Sequence, residues 1–356
     1  MQYDVLSREF VFRQGPTAMC HGSTVLPLPD GAVLAAWFGG SREGREDTAV
    51  WHARRDACGV WSTPCSLPHL PEAHWNPVLR RGADGVVHLY YKVGNRIADW
   101  RTYVCASSDN GLTWSVPREL APGDGSGGRG PVRNKVVRLA SGRLLAPAST
   151  ERGVWTAFTD ISDDDGATWR AGACTGIPGL AYTSGERTAE GHAIAVDEQS
   201  FYGRGVIQPS VWEDGRGAHM LLRSTEGFIY RSDSTDAGET WTPARPTTLP
   251  NNNSGLDLAP ANGRLFLACN PVEANWGARS PLVLLASDDN GETWQPMLTL
   301  ESGAGEFAYP AVVADNNTLH ITYTWKRSTI AYWRVNILDQ QDLGGCSPPK
   351  PPRQGE

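Results

Sequence analysis

Short apolar runs, each preceded by a polar turn, recur along the chain at roughly equal spacing. Turn sequences such as LPDG, RGADG and LASG come directly before them. Runs of this length between Gly-, Asp- and Asn-rich turns are typical of β-strands, and no convincing long amphipathic helix pattern interrupts them. Six such runs are present, at 31–38, 85–93, 142–150, 218–224, 263–270 and 318–325.

A second pattern, Ser-x-Asp-x-Gly-x-Thr-Trp, occurs four times, at 107–114, 162–169, 234–241 and 287–294, and a degenerate copy ends at Trp61. Its aspartate can accept backbone N–H bonds across a turn, its glycine supplies a positive φ, and its tryptophan can pack between neighbouring units. The closing tryptophans are separated by 53, 55, 72 and 53 residues, a period that indicates stacked supersecondary units.

The two patterns together predict an all-β fold, a six-bladed β-propeller of four-stranded antiparallel blades. We expect the repeated turns to lie away from its central channel and to carry no chemistry. The longest step holds an extra polar, glycine-rich segment that we expect to form a loop over one face. No interdomain linker is visible, so we predict a single domain over 1–342 and a proline-rich, disordered tail over 343–356.

Charge and composition restrict the classes of partner. The 356 residues are 40% hydrophobic and 20% charged, as in globular proteins, and the net charge of −7 argues against general nucleic-acid binding. Only four of the 32 basic residues are lysines, and arginine is the residue that binds carboxylates in a bidentate way.

Targeting signals and cysteine spacing indicate no functional site. The seven cysteines form no C-x-x-C pair, and the chain shows no signal peptide and no apolar run long enough to span a membrane. We therefore expect a cytoplasmic protein with free thiols that needs no cofactor or metal. The oligomeric state stays open.

The repeated turns and two segments, HGSTVLPLPDGAVLAAWFGGSREGREDTAVW and GEFAYPAVVADNNTLHITYTW, resemble the sialidase (neuraminidase) superfamily, specifically the bacterial BNR-repeat sialidase-like proteins, over about 15–335. The resemblance implies an exo-acting glycoside hydrolase that removes a terminal acidic sugar, a sialic acid or a related 2-keto-3-deoxy ulosonic acid. Members of this superfamily hold the substrate carboxylate with three arginines and use an aspartate acid/base and a tyrosine nucleophile assisted by a glutamate. A neutral tyrosine avoids the repulsion that a carboxylate nucleophile would meet at such a sugar, and tyrosine nucleophiles are a known exception among glycosidases.

The resemblance assigns roles residue by residue. Tyr309 in GEFAYPAV resembles the nucleophile, and Arg223 and Arg279 resemble the second and third arginines. Asp47 in GSREGRED resembles the acid/base, and Arg42 resembles an additional arginine beside that loop. Two neighbouring carboxylates are rivals for the acid role, Glu43 and Glu46.

Two positions depart from the superfamily pattern. His21 stands where the first arginine is expected, and Gln208 stands where the activating glutamate is expected. Gln208 cannot accept a proton, so activation of the tyrosine would pass to another glutamate, for which the candidates are Glu306, Glu213 and Glu190. A histidine facing two arginines would have a lowered pKa, stay neutral and be able to act as a base. His21 or Arg42 would complete the grip on the carboxylate.

Further polar segments occur about once per blade, at 74–77, 90–94, 131–135, 148–151, 251–257 and 324–327. The innermost strands of a propeller place such residues around its axis. From these segments we select five more candidate substrate-binding residues: Asn76, Lys92, Arg133, Lys135 and Glu151. Two of them, Arg133 and Lys135, would form an electropositive pocket with Arg223 and Arg279 that attracts an acidic sugar or oligosaccharide.

Two alternative functions stay open at this point. His21 with a tyrosine and charge-neutralising arginines could support a uronate lyase or hydrolase on the same propeller. Alternatively, the loss of the activating glutamate at position 208 fits a non-catalytic propeller that binds acidic glycans.

Overall fold

The computed structural model describes residues 2–181, 186–187, 193–194 and 203–338. In chain order its strands are β1 (Gln2–Phe10), β2 (Met19–Pro27), β3 (Val33–Gly40), β4 (Ala49–Arg55), β5 (Cys65–Ser66), β6 (His74–Arg81), β7 (Val87–Val93), β8 (Arg101–Ser107), β9 (Arg118–Glu119), β10 (Val137–Arg138), β11 (Leu144–Thr150), β12 (Val154–Ser162), β13 (Arg170–Ala171), β14 (Glu186–Arg187), β15 (Ala193–Ile194), β16 (Arg204–Asp214), β17 (Gly217–Ser224), β18 (Phe228–Ser234), β19 (Arg245–Pro250), β20 (Asp257–Ala261), β21 (Arg264–Cys269), β22 (Leu282–Ser287), β23 (Gln295–Glu301), β24 (Phe307–Asp315), β25 (Thr318–Trp325) and β26 (Thr329–Leu338). A 3-10 turn at Ile97–Asp99 is the one helical element in these ranges, and no helix within them has the length and apolar character to cross a membrane.

The strands form an all-β, propeller-like arrangement of antiparallel sheets. Four sheets have four strands each, in the orders β2-β3-β4-β5, β6-β7-β8-β9, β20-β21-β22-β23 and β1-β26-β25-β24. The remaining long strands form one eight-stranded sheet, β10-β11-β12-β16-β17-β18-β19 with β13 on β12, and β14 pairs with β15. The expectation of six separate four-stranded blades is therefore corrected to four. The physical reason is a short parallel pairing, in which Val154 and Trp155 of β12 align with Arg204 and Gly205 of β16 and join two four-strand groups into one sheet.

The six apolar runs are confirmed as strands. They correspond to β3, β7, β11, β17, β21 and β25, each lying between two partners in its sheet. β3 is buried at every position, because its sheet is covered on both faces, and such strands have near-continuous apolar sequences.

Hydrophobic clusters fill the spaces between successive sheets. The cluster around Phe266 and Ile321 joins the sheet of β20–β23 to the last sheet. The cluster around Trp37 and Tyr332 joins the last sheet to the first. The arrangement is closed by the two ends of the described chain, since β1 pairs antiparallel with β26 along almost its whole length.

The four Ser-x-Asp-x-Gly-x-Thr-Trp segments adopt the same turn. In the first, the carboxylate of Asp109 accepts the backbone N–H of Thr113 at 2.9 Å and its hydroxyl at 2.6 Å, and the Ser107 hydroxyl accepts the N–H of Gly111 at 2.8 Å. The other three copies repeat these bonds. The closing tryptophans pack against hydrophobic clusters between sheets.

Candidate functional site

One cavity of about 300 Å³ gathers most of the polar candidates at one end of the sheets. Its lining comes from the first strands of several sheets, from β12 and β17, and from loops beside the strands. The lining residues are Glu43, Trp75, Asn76, Ile97, Trp100, Glu151, Trp155, Gln208, Arg223, Trp276, Arg279, Glu306, Tyr309 and Arg327.

β-Bulges shape the wall of this cavity. The first strands β2, β6, β16 and β24 each shift register once, at Gly22, Asn76, Gln208 and Tyr309. All four residues have a positive φ, between 42° and 61°. A bulge turns a side chain away from the alternation of the strand, and three of the four bulge side chains line the cavity.

Two buried side chains from the segment before β10 hold the bulges at Tyr309 and Gln208. The Arg133 guanidinium donates to the carbonyls of Tyr309 and Pro310, at 2.6 and 2.8 Å. The Asn134 amide donates to the Gln208 carbonyl at 3.1 Å and to the carbonyl of the following proline at 3.0 Å. Arg133, predicted to bind substrate, is 1% exposed and does not line the cavity. In this structure it supports the backbone that presents Tyr309.

Arg223 links the tyrosine to the glutamine. Its Nη1 donates to the Tyr309 hydroxyl at 2.6 Å and to Gln208 Oε1 at 3.2 Å, and its Nε donates to Asn253 Oδ1 at 2.7 Å. Arg223 is 3% exposed and has no carboxylate within ion-pair distance among the described residues. An arginine can only donate, so the phenolic oxygen accepts here. The hydrogen of that hydroxyl has no protein acceptor in the described part of the chain.

Three arginines line the cavity: Arg223, Arg279 and Arg327. Arg279 and Arg327 share the Glu306 carboxylate, at 2.6 and 2.8 Å, and Arg327 also pairs with Glu43. The guanidinium carbons of Arg223 and Arg279 lie 5.7 and 5.3 Å from the centre of the Tyr309 ring. Sequence reasoning marked the segment 324–327 as polar and near the axis but did not single out Arg327.

Glu151 differs from the other two carboxyl groups that line the cavity in having no ion pair within the described part of the chain. Glu43 and Glu306 are engaged by arginines, whereas Glu151 is 8% exposed and its Oε1 has no hydrogen-bond partner among the described residues. Burial raises the pKa of Glu151 to about 7, against the opposing charges of Arg223 and Lys92. The sequence placed Glu151 at the channel but gave it only a binding role.

His21 lies beneath the tyrosine rather than in the cavity. The two ring centres are 4.2 Å apart, and His21 is 1% exposed and absent from the lining. Burial places the pKa of His21 well below its usual range, and nearby arginines, Arg327 and Arg279 first among them, lower it further. The histidine is therefore neutral at physiological pH, as expected from the sequence, although burial is the larger cause.

Two candidate lysines contact protein groups instead of the cavity. Lys135 Nζ bonds both carboxylate oxygens of Asp257 at 2.9 Å. Lys92 Nζ donates to the carbonyl of Arg129 at 2.5 Å, and burial lowers the pKa of Lys92 to about 7. Neither residue is among those that line the cavity.

The loop over 41–48 contains the three carboxylates that the sequence suggests as the catalytic acid, and they differ in whether they reach the cavity. Asp47 is exposed, accepts the backbone N–H and the hydroxyl of Ser41 at 2.9 Å each, and does not line the cavity. Arg42 is exposed as well, while Glu46 accepts from Asn95 at 3.3 Å. Only Glu43 of this loop lines the cavity.

Two of the glutamates considered for tyrosine activation lie elsewhere. Glu213 accepts the backbone N–H of Ala140 at 2.7 Å and is not part of the lining. Glu190 lies outside the described residues, as does the tail over 343–356. Glu306, the third, lies in the lining and is shared by two arginines.

Aromatic side chains form much of the remaining wall, and sequence reasoning missed them. Trp75, Trp100, Trp155 and Trp276 line the cavity. The guanidinium carbon of Arg223 lies 5.8 Å from the ring centres of both Trp155 and Trp276. The site thus combines cations with broad apolar ring faces, and only Trp75 came from a segment that the sequence had marked, 74–77.

Candidate metal ligands do not converge within the described ranges, where no group of three or more His, Cys, Asp or Glu side chains could hold a metal ion. The described cysteines are unpaired thiols: Cys20, Cys58, Cys65, Cys105, Cys174 and Cys269.

Comparison with known proteins places this geometry in a family context. Residues 31–321 match the model of the BNR repeat-like domain. A sialidase from Micromonospora viridifaciens is 26% identical over 267 residues, which are 69% of this chain and 36% of that protein, so the chain spans about a third of this relative's length.

Solved structures share the fold. The Hadza microbial sialidase Hz136 superposes with a TM-score of 0.71 at 18% identity, over 92% of this chain and 68% of that one. The Trypanosoma rangeli sialidase in complex with sialic acid superposes with a TM-score of 0.66 at 14% identity, over 95% of this chain and 59% of that one. At such identities the likeness establishes the fold alone.

Proposed function

Because the chain belongs to the BNR repeat-like domain family, we propose that it is a sialidase-like exo-glycoside hydrolase that removes a terminal acidic sugar. One observation carries the proposal. The hydroxyl of Tyr309 accepts a hydrogen bond from the buried Arg223 inside a cavity that Arg279 and Arg327 also line. This arrangement brings an oxygen nucleophile and a site for an anion together.

The arginines favour a substrate with a carboxylate on the reacting carbon. Arg223 is buried and lacks an ionic partner among the described side chains, and a buried cation of this kind gains most from a bound anion. Guanidinium groups bind carboxylates through paired hydrogen bonds. A sialic acid or a related 2-keto-3-deoxy ulosonic acid carries its carboxylate at the anomeric carbon, next to where Tyr309 would attack.

The chemistry would proceed in two steps. The Tyr309 oxygen gives up its proton to a base at the cavity and forms a bond to the anomeric carbon, while the bond from that carbon to the leaving oxygen breaks. The leaving oxygen takes a proton from an acid of the loop over 41–48. We propose Asp47 for this acid, with Glu43, which reaches the cavity, as its rival. Water then attacks the anomeric carbon, gives its proton to the same carboxylate and releases Tyr309.

The wider architecture fits a ring around this site. We propose that the eight-stranded sheet serves as two blades, which gives a six-bladed propeller, and that the ring is a single domain over 1–342. The supporting observation is a hydrophobic cluster between the two halves of that sheet, which contains Leu145 from β11 and Met220 from β17.

One alternative has a specific observation in its favour. Gln208 holds an amide beside Arg223 where the superfamily pattern has a glutamate, which fits a propeller that binds acidic glycans without turnover. The uronate lyase alternative is weaker, because its base, His21, does not line the cavity.

The test is hydrolysis of aryl glycosides of sialic, ulosonic and uronic acids, with release of the aryl group and ultraviolet absorbance followed together. We expect release from an ulosonide without an absorbing sugar product. Tyr309→Phe should lower turnover by roughly 1,000-fold or more, because it removes the nucleophilic oxygen. Tyr103→Phe, on the outer side of the β6–β9 sheet, is the matched control. Binding without turnover would support the glycan-binding alternative, and an absorbing product from a uronide would support the lyase.

A further inference from the structure

Tyr309 and Glu151 each carry a hydrogen-bonding group without a partner among the described residues. The hydroxyl oxygen of Tyr309 is occupied by the Arg223 donor, which leaves its hydrogen without a protein acceptor. Glu151 Oε1 is an acceptor without a donor. Both side chains line the same cavity, and both statements hold for the described residues.

The other two carboxyl groups of the lining are ion-paired with arginines. Glu306 is shared by Arg279 and Arg327, and Glu43 pairs with Arg327. Among the described groups that line the cavity, Glu151 is therefore the carboxyl that is not ion-paired with an arginine.

We propose that Glu151 is the base that takes the proton of Tyr309, a role that Gln208 cannot fill in this chain. The inference rests on the proposed function, since it needs Tyr309 to act as a nucleophile. The proton passes through one bridging water or a substrate hydroxyl, and general-base catalysis tolerates a relay through one such group. The O–H bond of Tyr309 breaks as its oxygen bonds to the anomeric carbon, and when water later displaces the tyrosine, the phenolate takes the proton back from Glu151.

The surroundings of Glu151 suit this task near neutral pH. Two cations face it, Arg223 from β17 and Lys92 from β7, while Trp155 of β12 lines the cavity with it. Burial raises the pKa of Glu151 to about 7 even so. A base with such a value is ionised in part at pH 7 and still holds a proton well, which is the balance that general-base catalysis requires.

The experiment measures covalent labelling of Tyr309 directly. The probe is a sialosyl fluoride with a second fluorine on the neighbouring carbon, whose fluoride leaves without acid assistance and whose adduct persists. Mass spectrometry of peptides follows the adduct on Tyr309 over a range of pH. We expect the labelling rate of the wild-type protein to rise through a midpoint near pH 7. Glu151→Gln should label about 100-fold more slowly, and Glu119→Gln, on the outer strand β9, should label at the wild-type rate.

A second variant assigns the midpoint to Glu151. Lys92 lowers the pKa of Glu151, so Lys92→Met should move the labelling midpoint to higher pH. Wild-type labelling together with an unchanged rate in Glu151→Gln, or with an unmoved midpoint in Lys92→Met, would overturn this inference and leave the proposed function standing. No adduct in the wild-type protein at any pH would overturn the nucleophile and the base together.

Discussion

The outer turns and the cavity wall differ in what is repeated along the chain. The four outer turns repeat the same residues because each turn makes the same hydrogen bonds. In the first copy, Gly111 donates to Ser107 and Thr113 donates to Asp109, and the matching positions of the other copies do the same. The bulges of the inner strands repeat a conformation but not a residue, since Gly22, Asn76, Gln208 and Tyr309 all have a positive φ.

The difference shows where chemistry can vary in this fold. A non-glycine residue with positive φ costs about 1 kcal/mol, and the inner strands bear that cost at three of these four bulges. The outer turns bear it as well, at Asn110, Asp165, Ala237 and Asn290, each of which precedes a glycine that also has a positive φ. The outer turns stabilise the sheets, whereas the inner bulges present different side chains to one cavity.

The largest expected effect is on ligand affinity, and it comes from replacing a buried arginine at the cavity with lysine. Arg223→Lys keeps the charge but loses the planar set of donors that reaches Tyr309, Gln208 and Asn253. We expect the affinity for the unsaturated analogue of sialic acid to fall by about 100-fold, or ~3 kcal/mol, as measured by calorimetry.

The matched control is Arg231→Lys in the same sheet. Arg231 is equally buried, at 3% exposed, but bonds Asp233 away from the cavity. It should lower stability and leave affinity within about twofold of wild type. Equal losses of affinity in the two variants would show that the cavity is not the anion site.

The two regions also differ in how far the sequence alone could predict them. The repeated turns and the central strands of the sheets were predictable, because each leaves a periodic signal. Tyr309 and Arg223, assigned through resemblance, line the cavity, whereas Arg133 does not, because its guanidinium donates to the carbonyls of the bulge at Tyr309. A bulge changes which neighbour a side chain meets. The free oxygen of Glu151 depends on which carboxylates other arginines have already taken, and no spacing in the sequence records that.

A smaller effect concerns the stability cost of the unpaired carboxyl. Burial raises the pKa of Glu151 from 4.5 to about 7, so the folded protein holds a proton that the unfolded chain releases between these values. The free energy of unfolding should therefore fall as the pH rises from about 4.5 to 7. Glu151→Gln removes this dependence and should be more stable than wild type above pH 7, by up to about 3 kcal/mol.

Urea unfolding of both proteins between pH 5 and pH 8 gives the measurement. Lys92, whose pKa burial lowers to about 7, is coupled to Glu151, so the same pair of proteins is also compared in a Lys92→Met background, where this lysine does not titrate. A difference that stays constant over this window would show that Glu151 is not the titrating group, whatever its effect on catalysis.

The smallest effect should come from the outer turns, where stability changes without a change in the site. Gly238 has a φ of +87°, and a Cβ there would lie 2.6 Å from the buried Leu145 side chain. Gly238→Ala should therefore lower the free energy of unfolding by about 2 kcal/mol, through backbone strain and displacement of the core. Gly142 has a similar φ of +91° with open space around its Cβ position, so Gly142→Ala should cost about 1 kcal/mol from strain alone.

Both variants, assayed well below their unfolding temperatures, should hydrolyse the ulosonide at the wild-type rate, because neither glycine lines the cavity. A lower rate of hydrolysis in Gly238→Ala, but not in Gly142→Ala, would mean that the packing between sheets also sets the geometry of the inner bulges. The outer turns would then affect activity as well as stability, which contradicts the comparison drawn above.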